Sequence, residues 1–150
     1  MEVSMVKLVL FIVLCLYFAN TANAQGNCQY FSDEVTTLNK KIILISTKQP
    51  VNGVVCRYTN GDFLTLIIKN GLREGIARNY DENGRLRQET PYKNDVREGY
   101  AQIYMENGRL FGKILYRNDE AVSGNCADER AFTNAELINW ENGHTVYCGY

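Results

Sequence analysis

The chain has 150 residues, with 16 Lys and Arg set against 17 Asp and Glu, a net charge of −1. That length is enough for one domain. The even charge offers no basic patch for nucleic acid, and Arg and Glu alternate as they do on a solvated sheet face.

Residues 1–24 read as a secretory signal peptide. Lys7 and the amino terminus give a weakly positive start, Leu8 to Phe18 form an apolar run, and Ala22-Asn23-Ala24 before Gln25 supplies small residues at a cleavage site. The apolar run is short beside the roughly 20 residues that a membrane span needs. Cleavage is expected after Ala24, giving a secreted or periplasmic chain that meets the membrane only transiently. An uncleaved anchor is the alternative. Residues 25–150 keep a net charge of −1.

Cys15 leaves with the signal, and Cys28, Cys56, Cys126 and Cys148 stay. Four cysteines in an oxidising compartment read as two disulfides. Three connectivities exist; Cys28–Cys56 with Cys126–Cys148 is favoured because each pair would staple one end of the chain. A four-cysteine metal site lacks the Cys-x-x-Cys spacing it would need. Residues 25–50 form an N-terminal cap, in which Lys41-Ile42-Ile43-Leu44-Ile45 is an apolar strand and Cys28 holds the irregular segment against it.

From there a phrase repeats with a fixed period, position 73 recurring at position 97. Arg73-Glu74-Gly75, Tyr80-Asp81-Glu82-Asn83-Gly84-Arg85-Leu86 and Tyr92-Lys93-Asn94 return as Arg97-Glu98-Gly99, Tyr104-Met105-Glu106-Asn107-Gly108-Arg109-Leu110 and Tyr116-Arg117-Asn118. A period of this size marks a repeat architecture. Asn-Gly between half-polar runs signals a β-hairpin. A three-residue loop, Glu82-Asn83-Gly84, pairs Asp81 with Arg85 and Tyr80 with Leu86, and Gly84 closes the turn in the left-handed region. Carried along the hairpin, this register puts Ile76, Arg78, Tyr80, Leu86, Gln88, Thr90 and Tyr92 on one face. The other face then carries Gly75, Ala77, Asn79, Arg87, Glu89 and Pro91. The next unit places Tyr104 opposite Leu110 and Tyr100 opposite Ile114.

The same register makes two columns of rings, Tyr80 with Tyr104 and Tyr92 with Tyr116, with neighbours roughly 9.5 Å apart. Tyr58, in the imperfect earlier copy Tyr58-Thr59-Asn60-Gly61-Asp62-Phe63, extends the first column. These rings are either a binding strip or the glue between hairpins, and cross-strand aromatic pairing favours glue. Gly53, Gly75, Gly99 and Gly124 stand near the start of each unit, where a tyrosine could pack over them.

The C-terminal segment reads as a second cap. Thr133 and Glu136 make a capping box, Ala135, Leu137, Ile138 and Trp140 give a short helix an apolar side, and Gly143 marks its stop. Val146 and Tyr147 read as a final strand tied to Cys126 through Cys148. Trp140 could instead be the centre of a partner-binding epitope.

Glu-Gly, a tyrosine at the fifth position after it, Asn-Gly-x-Leu and Tyr-x-Asn together resemble the bacterial variant of the MORN repeat over residues 51–122. The run Gln49-Pro50-Val51-Asn52-Gly53 before the array and the tail from Ser123 to Gly143 resemble that family too. Asp95 and Asp119 replace the glycines expected after Asn94 and Asn118, and Lys69 replaces a tyrosine, which argues against one geometry for every turn. The resemblance implies a mainly β fold, an open meander of antiparallel hairpins over 51–122. A C-terminal cap with a short helix, residues 123–150, and disulfide-stapled ends complete it. It also implies an extracytoplasmic protein of a family often labelled as antitoxins.

No catalytic, cofactor or metal residue is expected. His144 is the lone histidine, disulfides would consume the thiols, and the pairs Asp81-Glu82 and Asp119-Glu120 sit in turns where water keeps carboxylates ordinary. The expected function is a non-catalytic protein-interaction scaffold with another protein as partner, an envelope component or a toxin. Its candidate surface is Tyr58, Tyr80, Tyr92, Tyr104, Tyr116 and Trp140. An antitoxin or immunity protein is the alternative, and a cell-envelope glycan binder or enzyme the third.

Overall fold

The computed structural model describes residues 28–142 and 146–149. It is mainly β, one open antiparallel-rich sheet with a short C-terminal helix. Strands β4 (Gly53–Thr59), β5 (Asp62–Lys69), β7 (Gly75–Tyr80), β8 (Leu86–Lys93), β10 (Gly99–Tyr104), β11 (Leu110–Arg117) and β12 (Glu120–Cys126) pair in chain order. Short β6 (Leu72–Arg73) and β9 (Val96–Arg97) precede β7 and β10 and pair with β5 and β8. At one edge β1 (Tyr30–Phe31) runs parallel to β4. Strands β2 (Val35–Leu38) and β3 (Lys41–Leu44) form a separate hairpin, and α1 spans Asn134–Glu141.

Two kinds of turn occur along the array, and they alternate from Asn70-Gly71 onward. The Asp81–Arg85 and Met105–Arg109 loops have the expected three-residue form, closed by Gly84 at φ 74° and Gly108 at φ 79°. The others are two-residue turns with both residues at positive φ: Asn60-Gly61 at 52° and 91°, Asn70-Gly71 at 51° and 78°, Asn94-Asp95 at 51° and 73°, Asn118-Asp119 at 51° and 69°. Replacing glycine by aspartate therefore leaves the turn geometry intact, contrary to the sequence expectation. Aspartate tolerates this region better than most residues, and here its side chain has a second task described below.

The expected register holds only at the hairpin tip. Tyr80 does face Leu86, but a bulge follows at Arg87, after which Asn79 faces Gln88, Arg78 faces Glu89 and Ala77 faces Thr90. The next hairpin repeats the bulge at Phe111, so Tyr100 faces Leu115 rather than Ile114. One extra residue on one strand exchanges the faces of everything beyond it. The predicted face lists are corrected accordingly. Ala77, Asn79, Gln88, Thr90 and Tyr92 share one face, and Ile76, Arg78, Tyr80, Glu89 and Pro91 the other.

The first of these faces is capped at both ends. Val51, Val55 and Ile68 are buried there beneath Val35, Ile42 and Leu44 of the β2–β3 hairpin. At the far end Ala101, Ile114 and Tyr116 are buried with Phe132, Leu137, Val146 and the Cys126–Cys148 pair. The two caps thus lie on one side of the sheet and leave the span between them open.

Both cysteine pairs stand at disulfide distance, Cys28 with Cys56 and Cys126 with Cys148. Such pairs point to an oxidising, extracytoplasmic environment. Cys28 ties the first segment to β4 beside β1, not to the Lys41–Ile45 strand; that strand ends at Leu44, and Ile45 is exposed. The segment 146–149 is no strand, although Val146 and Cys148 are buried. Helix α1 buries Leu137 and half-buries Trp140, while Ile138 is 61 % exposed and belongs to the outer side. The expectations for Gly143, His144 and the signal peptide lie outside the described residues. Among the described residues no helix is long and apolar enough to cross a membrane.

At Gly53 the Tyr30 ring does lie close, 3.2 Å from an added Cβ beside the Gln29 carboxamide, but no tyrosine packs over the repeat glycines Gly75 and Gly99. Added Cβ atoms there would meet Ile67 and Pro91, and the reason for glycine is a backbone at φ 86° and 106°. Gly124 differs: the Phe132 ring lies so close that a methyl group would stand 2.5 Å from it.

Candidate functional site: a groove between the caps

The repeated phrase builds a strut from one unit to the next. The Arg73 carbonyl accepts the Asp95 N–H at 2.9 Å, and the Glu74 carboxylate accepts the Asn94 N–H at 2.8 Å. One unit on, Arg97 and Glu98 do the same for Asp119 and Asn118, at 3.1 and 3.0 Å. One unit back, the Val51 carbonyl takes the Gly71 N–H and Asn52 Oδ1 takes the Asn70 N–H. Asn52 thus stands in for the glutamate, so Val51-Asn52-Gly53 is the first copy of Arg-Glu-Gly.

The arginine of each phrase has a fixed place. Arg73 Nε donates to Asp95 Oδ1 at 2.5 Å and Nη2 to the Asp95 carbonyl at 2.8 Å, with the guanidinium 4.3 Å above the Tyr92 ring centroid. Arg97 repeats this with Asp119 and lies 4.2 Å over Tyr116. Burial works to raise the Asp95 carboxyl, but the hydrogen bonds from Arg73 outweigh it and hold the carboxyl below its ordinary pKa. A planar cation stacked on a ring and bonded to both the carboxylate and the backbone carbonyl of one aspartate is held rigidly, which suits it to receive a further anion.

At the C-terminal end that further anion is present. Glu141 of α1 meets Arg97 Nη1 and Nη2 at 3.3 Å each, and the Trp140 indole N–H donates to the Tyr116 hydroxyl at 3.0 Å. Tyr116 is 2 % exposed, and this burial raises its hydroxyl above the ordinary pKa, against the opposing pull of Trp140 and Arg97.

One repeat earlier the same seat is open. A groove of about 540 Å³ is lined by Leu64, Leu66 and Ala77 along its floor, Asn79, Gln88 and Thr90 beside them, and Arg57, Arg73 and Tyr92 at its rim. Asp62 is the one carboxylate among its lining residues, against two guanidinium groups.

The tyrosines named from the sequence do not form one strip. Tyr92 and Tyr116 belong to the capped face, where Tyr116 is covered by Trp140 and Tyr92 lines the groove. Tyr58 and Tyr80 lie on the opposite face with Phe63 between them, at centroid distances of 4.6 and 6.1 Å. Tyr104 is on that face as well, donating its hydroxyl to Glu89 at 3.0 Å, and Glu89 also pairs with Arg78 at 2.9 Å. The bulges at Arg87 and Phe111 cause the split. Arg57, Arg73, Asn79, Gln88 and Thr90 were not singled out from the sequence as site residues. The available signal was the spacing from Arg73 to Asp95, which Arg97 and Asp119 repeat.

One carboxylate departs from expectation, and a second is strongly shifted. Asp81 is not an ordinary turn carboxylate. Desolvation opposes its ionisation, but N–H bonds from Asn83 and Arg85 and the Arg85 guanidinium hold its pKa below the usual range. Glu136 is held at about 2, against 4.5, chiefly by the Arg130 guanidinium and the Thr133 N–H of the capping box. A depressed carboxylate contributes stability that is present above its unfolded value and lost as pH falls through its folded value. Acidification from 4.5 towards about 2 is therefore expected to loosen α1. Trp140 is the single tryptophan of the chain, so its fluorescence reads this directly. The transition should disappear in Glu136→Gln; persistence in that variant would refute the assignment.

No curated protein matches the chain. Among solved structures it is similar to TarM, at 10 % identity over 84 % of this chain and 25 % of that one, with a TM-score of 0.46. A TarM mutant from S. aureus, in complex with Fondaparinux, alpha-GlcNAc-glycerol and UDP, gives 0.47 with the same identity and coverage. The GtfA/B complex gives 0.28, at 17 % identity over 63 % of this chain and 22 % of that one. The chain spans about a quarter of the length of these proteins, and scores at this level carry no argument. The family model described as MORN repeat variant matches residues 73–94, so a MORN repeat variant stands where Arg73, Glu74, Tyr92 and Asn94 build the groove's rim and its strut.

Proposed function

We propose that the protein is a non-catalytic interaction scaffold, exported through a cleaved signal peptide to the periplasm or the cell exterior, whose sheet binds another protein. The observation that carries this reading is the groove left between two caps on one face of a braced sheet. Its lining mixes leucine, tyrosine, amide and guanidinium groups in the manner of a protein-recognition surface, where aromatic residues and arginine are enriched. Struts at the Asn70-Gly71, Asn94-Asp95 and Asn118-Asp119 turns keep that surface in one shape before a partner arrives, which lowers the ordering cost of binding.

The opposite face offers Tyr58, Tyr80 and Tyr104 as a second contact strip. The antitoxin or immunity role implied by the family resemblance uses the same surfaces, with one toxin as the partner. Identity of the partner separates the two, and a neighbouring secreted-toxin gene would favour neutralisation. The test is capture from envelope extract, with the disulfide-intact chain beginning at Gln25 as bait. A specific protein should be retained at stoichiometric amounts. Retention of none would sink the scaffold reading.

A further inference from the structure

The chain contains a worked example of what its own groove accepts. With the two repeats aligned, Arg73 on Arg97, the residues of β10 and β11 that pack with Leu137 and Trp140 of α1, beside its neighbour strand β12, are Ala101, Ile103 and Ile114, with Arg97 and Tyr116 at the rim. The corresponding groove residues are Ala77, Asn79 and Thr90, with Gln88 beside them and Arg73 and Tyr92 at the rim. The rim is the same in kind. Arginine stacks on tyrosine, and an aspartate of the next turn forks onto the arginine. What differs is the floor, where isoleucine gives way to amide and hydroxyl.

We infer that the groove binds a short helix of a partner protein that presents an aromatic N–H or O–H donor followed directly by a carboxylate, as Trp140-Glu141 does in α1. This deepens the scaffold reading and rests on it. The carboxylate meets the outer side of the Arg73 guanidinium, whose Nε and one Nη are already committed to Asp95. The donor meets the Tyr92 hydroxyl. Between them the helix sets polar side chains over Asn79, Gln88 and Thr90, where α1 sets Leu137 over its apolar seat. Asp95 already pairs with Arg73, but Asp119 pairs likewise with Arg97, which still takes Glu141, and the lining adds Arg57 against Asp62. Helix-in-groove docking of this kind is a recurring mode of peptide recognition.

The probe is a fluorescein-labelled peptide of residues 133–142 carrying Leu137→Gln to suit the polar floor, held helical by a side-chain staple on its outer face and titrated into the full mature chain by anisotropy. Saturable binding is expected. It should weaken about tenfold with Arg73→Gln, and comparably when the peptide carries Glu141→Gln, as loss of one charge-assisted hydrogen bond predicts. Tyr92→Phe keeps the ring beneath Arg73 and so the fold, and is expected to lower affinity for the peptide by removing the acceptor alone. Binding that is absent, or indifferent to both variants, overturns the inference. So does binding lost with Arg97→Gln but retained with Arg73→Gln, because the peptide would then be displacing α1 from its own seat. A partner captured from extract as strongly by Tyr92→Phe and Arg73→Gln as by the unaltered chain leaves the scaffold reading standing and removes only this one.

Discussion

Tyr116→Ala is expected to destabilise the protein by about 4 kcal/mol, within the range for deleting a buried aromatic ring, while Tyr92→Ala costs about 1–2 kcal/mol. The two residues hold the same position in successive repeats and carry the same stacked arginine. They differ in what lies above them. Tyr116 is 2 % exposed, its ring enclosed by the C-terminal core and its hydroxyl bonded to Trp140. Removing it opens a cavity, leaves the indole N–H without its acceptor and takes the ring from beneath Arg97. Tyr92 lines the open groove, so water replaces what the substitution removes. Urea denaturation of both variants measures the difference directly. Equal losses would mean that α1 adds nothing to the energetics of its seat, and the groove could no longer be understood as an empty copy of it.

Removing the Cys126–Cys148 pair by double substitution to alanine is expected to cost about 3.4 kcal/mol, the chain-entropy value for closing a loop of this separation. The loop encloses the capping box, all of α1 and Val146, so its release should undock the helix before the repeats unfold. Trp140 fluorescence under non-reducing conditions should therefore move at lower denaturant than the far-ultraviolet signal of the sheet. The Cys28–Cys56 pair closes a similar loop, but it fastens β1 to β4 and leaves Trp140 in place. Its removal should lower stability without separating the two signals. Coincident transitions in the Cys126→Ala, Cys148→Ala protein would show that helix and sheet unfold as one unit, contrary to this expectation.

Much of the architecture was legible because the signals were local. Asn83-Gly84 and Asn107-Gly108 specify a turn through backbone conformation that glycine adopts easily, so hairpin existence and loop length could be read directly. Thr133 and Glu136 satisfy each other's helix-start bonds within a single turn, so the cap could be read too. The cysteines paired as favoured from their positions at the two ends. Error entered wherever one residue had to be placed relative to a distant one. Arg87 and Phe111 have no chemical mark of a bulge, yet their insertion exchanged the faces of the hairpin interiors and divided the tyrosines between them. The Asp95 and Asp119 turns were misread because their aspartates answer to arginines of the preceding unit, a relation that local turn preference does not contain.

The sequence alone determined the period, the hairpin tips, the helix cap and the mainly β class, since each depends on interactions between near neighbours in the chain. The tertiary structure decided which face each side chain occupies, because side-chain direction alternates and a single bulge reverses it. It also decided that both caps fold onto one face. That placement covers Tyr116, leaves Tyr92 open, and turns a structural repeat into a groove beside its own filled copy.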